Sequence, residues 1–216
     1  MDFINSLALY YREFLVIAVV HFLAVASPGP DFAVIVKQSL TQGRRKAIYS
    51  SLGIGSGILL HVTYSLIGIG LLIASDPILF NVLTYIAAAY LFYIGVQGVL
   101  AKPHEQLKVE NKASVLEQTN SKAFMTGFLV NGLNVKATLF FVSLFSLVIS
   151  EQTPVLVQSI YGLYMAIATA AWFSFLSYVL TIEHIRVKLL SKGHVVDKIM
   201  GIVLIALAIN ILLNSM

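Results

Sequence analysis

The sequence predicts an all-α integral membrane protein of six transmembrane helices, arranged as two inverted three-helix halves. Three observations carry this. The chain of 216 residues is 58% hydrophobic and 11% charged, with a mean hydropathy of +0.88, whereas a soluble domain carries about 25% charged residues. The charges gather between long apolar runs, and about 20 apolar residues of helix match the roughly 30 Å hydrocarbon core of a bilayer. Lastly, the basic residues alternate by connection, as they do when a chain crosses a membrane repeatedly.

The apolar runs fall near residues 14 to 36, 47 to 74, 78 to 100, 123 to 149, 155 to 182 and 196 to 213. The first is preceded by Asp2, Asn5, Arg12 and Glu13 rather than a basic segment. It also exceeds the apolar stretch of a signal peptide, so it is expected to remain as a span. The second is longer than a bilayer needs, which predicts tilt or extension beyond the membrane. Between spans, the first connection holds Lys37, Arg44, Arg45 and Lys46, the third Lys102, Lys108, Lys112 and Lys122, and the fifth Arg186, Lys188, Lys192 and Lys198. The second and fourth hold only Asp76 and Glu151. Because cytoplasmic loops carry the excess of Lys and Arg, the three basic connections are expected in the cytoplasm and both termini outside.

Residues 101 to 122 form the one long polar connection, expected as a cytoplasmic linker between a first half (1–100) and a second half (123–216). Three spans per half is an odd number, so the second half must be inverted relative to the first, as in many secondary transporters. Phe22-Leu23-Ala24-Val25 and Phe128-Leu129-Val130-Asn131 stand at corresponding places, and each leads into a helix interruption. The chain has no cysteine, which excludes disulfides, thiolate metal sites and thiol redox chemistry. Its net charge of +4 reads as topology charge and not as a nucleic-acid surface, since no basic patch alternates with exposed aromatics.

Two interruptions concentrate the chemistry. Pro28 and Pro30 each remove a backbone donor and Gly29 loosens the chain between them, so the first span should break or kink there. Asp31 follows, about 9 Å inside Lys37 if the helix is regular. It either caps the restarted helix or belongs to a substrate or proton path, because acids in the membrane are costly and usually functional; the two roles are compatible. In the fourth span, Gly127, Asn131, Asn134 and Thr138 make one helical stripe, whereas Lys136 points about 200° away from Asn134. Either the helix unwinds near Asn134 or Lys136 leaves that surface. An isolated charge at this depth costs about 2.5 to 3.5 kcal/mol, and Asp31 is its candidate partner, whether as a structural ion pair or as part of a site.

In the second span Gly53, Gly57, His61, Ser65 and Gly68 share one face, beside Tyr64. The glycines suit close helix packing, within the chain or in a homo-oligomer. His61 is either a proton relay or a neutral histidine hydrogen-bonded in the seam; His21, nearer the outer half of the first span, carries less weight. Ser56 and His61 point about 140° apart on a helix and make no nucleophile and base pair. Ser174, Ser177 and Thr181 form a polar edge on the fifth span, suited to helix-helix hydrogen bonds or to lining a path.

Taken together these residues resemble the LysE/RhtB amino-acid exporters of bacterial inner membranes. The resemblance rests on His21-Phe-Leu-Ala-Val-Ala-Ser-Pro-Gly-Pro-Asp31, Gly43-Arg44-Arg45-Lys46-Ala47, Gly53 to His61 at four-residue spacing, Ala88-Ala89-Tyr90-Leu91-Phe92-Tyr93-Ile94-Gly95, and Gly127-Phe128-Leu129 leading to Asn134-Val135-Lys136. The Pro-Gly-Pro-Asp form is most similar to the RhtB branch, which exports threonine, homoserine and similar neutral amino acids. Two departures stand out: Val135 occupies a position where the family usually has proline, which weakens the expectation of a break there, and the Pro-Gln-Phe that commonly closes the fourth span is absent. The resemblance implies a non-enzymatic secondary transporter without a cofactor, exporting amino acids by proton antiport from a bacterial inner membrane, with periplasmic termini. It implies a substrate or proton site drawn from Pro28, Gly29, Pro30, Asp31, His61, Asn131, Asn134 and Lys136. An exporter of metal cations or another small metabolite is the competing expectation, although His61, Asp31 and Asn134 are too scattered to read as a ligand set.

Overall fold

The computed structural model describes residues 3–75, 77–101, 118–150 and 152–214. These form eight helices: α1 (Phe3–Ala26), α2 (Pro30–Thr41), α3 (Arg44–Ser75), α4 (Pro77–Val99), α5 (Asn120–Gly132), α6 (Val135–Leu147), α7 (Val155–Val179) and α8 (Glu183–Asn214). The six expected spans map onto them, with the first divided into α1 and α2 and the fourth into α5 and α6. Among the described residues, Arg44–Gly68 and Val155–Val179 are each long and apolar enough to cross a bilayer. The pairs α1–α2 and α5–α6 reach that length only as bent units, turning by 53° and 58°. The expected spans 78 to 100 and 196 to 213 fall on α4 and α8, and most of the expected linker, 102 to 117, lies outside the described residues.

Each break has a local cause. The Ser27 amide still donates to Leu23 O at 3.1 Å, and the next helix opens with Ala33 N donating to Gly29 O at 2.9 Å. Pro28 and Pro30, having no N–H, cannot carry the ladder across the gap. Gly29 is the N-cap of α2, with Pro30 at the first helical position, where its missing donor is harmless. In the fourth span the chain breaks without proline. The Asn134 side chain accepts from the amides of Lys136 at 3.0 Å and Ala137 at 3.4 Å, restarting the helix as an N-cap. Asn134 therefore supplies what Val135 does not. At the turn between α2 and α3, Gly43 takes a φ of +83°, a left-handed conformation that costs glycine little.

Helix α3 is the central post and packs most extensively on α5 and α7. A Cβ on Gly53 would lie 2.0 Å from Phe124 O, and one on Gly127 would lie 2.0 Å from Ser50 O, so backbones touch here as small residues permit. At these positions the expected glycine seam lies inside the chain. A second seam joins α4 to α8, where Gly98 abuts the Asp197 carbonyl and Gly201 abuts that of Gly95. Ser51 and Ser177 meet at 3.0 Å between α3 and α7, the helix-joining use expected for the fifth span's polar edge.

Burial follows the logic of a lipid solvent. Helix α7 exposes Leu156, Ile160, Leu163 and Ile167 along one face while burying Tyr161, Met165, Thr169 and Phe173 on the other. Apolar side chains facing outward over so large an area mark a surface that water does not cover. The interior meanwhile holds His21, Ser27, His61, Asn131, Thr169 and Asp197, polar groups that must find partners there.

Candidate functional site

The two helix breaks face one another across a small chamber. Its volume is about 60 Å³, and its wall includes Gly29, Pro30 and Asp31 from the first break and Asn131, Asn134 and Lys136 from the second. This space admits a few water molecules, each needing about 10 to 15 Å³ by this measure. His21 and Thr169 close the inner wall, joined at 3.1 Å.

Asp31 lies in the first turn of α2 but does not cap it, because the cap position is Gly29 and makes no side-chain bond. Instead Asp31 Oδ2 accepts a hydrogen bond from Asn131 Nδ2 at 2.9 Å. Its other oxygen, Oδ1, is buried without a well-formed hydrogen bond, with the Asn134 amide close by. Asn131 Oδ1 is likewise buried without a well-formed hydrogen bond and lies against Gly57 of α3, where a Cβ would stand 2.6 Å away. A carboxylate in the chamber wall whose second oxygen lacks a well-formed hydrogen bond suits a donor-rich cation such as an ammonium group.

His61 stands behind this wall. Its Nε2 meets the Asn131 backbone oxygen at 2.9 Å, its Nδ1 meets the Tyr64 hydroxyl, and its ring stacks on Phe141 at 5.6 Å. It holds the last turn of α5 in place without lining the chamber, the seam arrangement that the sequence left open as one of two readings.

Lys136 sits just past the break, half-buried, sharing one cavity wall with Asp31 and another with Asp197. The unwinding at Asn134 frees it from the helical stripe, resolving the angular conflict in the sequence. Asp31, the partner expected for Lys136, thus has Asn131 as its direct partner and feels Lys136 through its charge.

A wider vestibule of about 430 Å³ opens beside the chamber, near the end of α4 where Ala101 leads into the polar connection. Pro28, Tyr90, Tyr93, Gln97 and Asp197 line it, and Ser27, Ile94 and Lys136 belong to both spaces. Asp197 is 6% exposed and accepts from Ser27 Oγ at 2.5 Å. Sequence reasoning missed this acid because it stands one residue inside the sixth apolar run, beside Lys198, and so reads as topology charge. Its spacing of four from Gly201 was the available signal.

At the opposite end of α1, some 21 Å of helix from Ser27, Glu13 is 5% exposed. It accepts from Ser150 N at 2.8 Å, Thr153 Oγ1 at 2.9 Å and Tyr161 Oη at 3.3 Å. This cluster ties α1 to the turn between α6 and α7. Among the described residues no group of three His, Cys, Asp or Glu is placed to hold a metal ion.

A family model described as LysE type translocator matches residues 22–215. The chain is 29% identical over 198 residues to the uncharacterized membrane protein YrhP of Bacillus subtilis, covering 87% of this chain and 92% of that one. It is 30% identical over 178 residues to the threonine efflux protein of Escherichia coli K12, covering 80% and 84%. It is also 26% identical over 175 residues to the threonine efflux protein of Salmonella typhi, covering 80% and 84%. No solved structure matches.

Proposed function

We propose, since this chain belongs to the LysE family of translocators, that it exports a small neutral amino acid of the threonine or homoserine type in exchange for protons. The chain is a multi-pass membrane translocator and not an enzyme; the substrate and the coupling ion are our reading. The observation that carries it is the facing pair of helix breaks. The N-terminus of α2, whose cap Gly29 makes no side-chain bond, and the cation of Lys136 suit a carboxylate, because helix N-termini attract anions. Asp31, whose second oxygen lacks a well-formed hydrogen bond, offers an acceptor to an ammonium group. Opposite charges lining one chamber, Asp31 and Lys136, fit a zwitterion better than a metal cation. Asp31, when not holding substrate, is the group to carry the coupled proton.

Two further features support transport by alternating access around this site. The described residues place α3 against α7 and α4 against α8, as two inverted three-helix halves with their second and third spans paired would do. The vestibule reaches the site from one end, while the Glu13 cluster ties the helices at the other. We read the vestibule as the cytoplasmic side, because Ala101 at its rim leads into a basic connection.

Expression in bacteria challenged with growth-inhibitory threonine or homoserine tests this reading. The expected result is a lower intracellular concentration of the challenging amino acid and restored growth. Unchanged intracellular pools, with the protein present in the membrane, would oppose it.

A further inference from the structure

Amino-acid transport through the Asp31 chamber leaves unexplained a second buried carboxylate in a larger space. The chamber, at about 60 Å³, has room for a few waters and must widen to take a whole amino acid. The vestibule, at about 430 Å³, falls within the roughly 300 to 1,000 Å³ of small-molecule sites. Asp197 is held in its wall by the α4–α8 glycine seam, where a Cβ on Gly98 would lie 2.5 Å from the Asp197 carbonyl. Its side chain is nearly sealed, with Ser27 Oγ donating to one oxygen. Lys136 supplies the opposite charge from the same wall.

We propose that the vestibule is a first binding site for the amino-acid substrate, in which Asp197 receives the α-ammonium group and Lys136 the α-carboxylate. This rests on the amino-acid reading given above. Tyr90 and Tyr93, whose rings stand 6.5 Å apart, and the exposed Gln97 flank the space left for the substrate side chain. The arrangement gives Ser27 a task. Its bond to Asp197 spans the boundary between vestibule and chamber, and an ammonium group that takes up the Asp197 oxygen displaces the hydroxyl. Since Lys136 borders both spaces, the carboxylate can stay with it while the ammonium passes from Asp197 to Asp31. The two acids are then successive stations about one cationic pivot.

Equilibrium binding of labelled threonine to the full chain in lipid nanodiscs tests this, with 2,3-dihydroxybutanoic acid as competitor; in that analogue a hydroxyl replaces the amine. Wild-type protein should prefer threonine by at least about tenfold, since a buried carboxylate left without its charged partner weakens binding by that much or more. Asp197→Asn should weaken threonine binding at least tenfold and bring the two ligands within threefold of one another. Asp197→Glu should keep the preference, and because that preference is a ratio within one sample, it is insensitive to the fraction of protein folded. Asp197→Asn binding both ligands as the wild type does would overturn the vestibule site alone. Wild-type protein that binds neither threonine nor any other amino acid would overturn the amino-acid reading, and this proposal with it.

Discussion

Asn131 Nδ2 donates to Asp31 Oδ2 at 2.9 Å, joining helices α5 and α2 across a hundred positions of sequence. The bond ties one helix break to the other and leaves the second carboxylate oxygen buried without a well-formed hydrogen bond. A change at either break should therefore be felt at both.

Replacing the acid tests its part in coupling. Asp31→Asn keeps the side-chain size but removes the exchangeable proton and the charge. Net efflux driven by a pH gradient is expected to fall at least tenfold, and Asp31→Glu should recover part of it. Proton-driven rates equal to the wild type in Asp31→Asn would remove Asp31 from the coupling step.

The break in the fourth span should depend on Asn134 rather than on its neighbour. Asn134→Ala deletes the cap of α6 and should cost about 1 kcal/mol, lowering the melting temperature in detergent by about 2 to 4 °C. Asn134→Ser restores an acceptor and should melt near the wild type. If the alanine variant melts with the wild type, the cap is not what starts α6.

Two glycines in the chain should respond in opposite directions. Gly127→Ala drives a methyl against the Ser50 carbonyl, and overpacking of this kind costs about 1 to 3 kcal/mol. Gly68 has open space at its Cβ position, so Gly68→Ala should gain about 0.5 to 1 kcal/mol from helix propensity alone. Thermal melts of both variants check the pair; equal shifts would contradict the seam.

The absence of cysteine makes sidedness directly measurable. A single cysteine at Gln152, in the connection without basic residues, should react with an impermeant maleimide in intact cells. One at Gln118, in the polar connection, should react only after permeabilisation. The reverse pattern would invert the orientation.

Much of this architecture was legible because composition and punctuation act locally. Pro28, Gly29 and Pro30 break a helix whatever surrounds them, and Lys136 in an apolar run announces a buried charge. The break at Asn134 was only half legible: angular spacing flagged a conflict at Lys136, but proline was the expected cause, and capping by a side chain depends on a geometry that residue order does not display. Asp197 was hidden for a different reason. An acid at the edge of an apolar run is ordinary topology charge until packing decides otherwise, and here the contact of Gly98 with its carbonyl turns it inward. His61 shows the same dependence, since only the fold reveals that its partner is the Asn131 carbonyl and not the chamber.

Counterflow in proteoliposomes bears most directly on the central claim that facing helix breaks hold and move an amino acid. Vesicles loaded with unlabelled threonine, homoserine, leucine or lysine would receive the labelled form outside, with and without an imposed pH gradient. Uptake of threonine or homoserine is expected well above that of lysine, changed by the gradient and lost in Asp31→Asn. Folded protein that exchanges none of the four, under either condition, would contradict it.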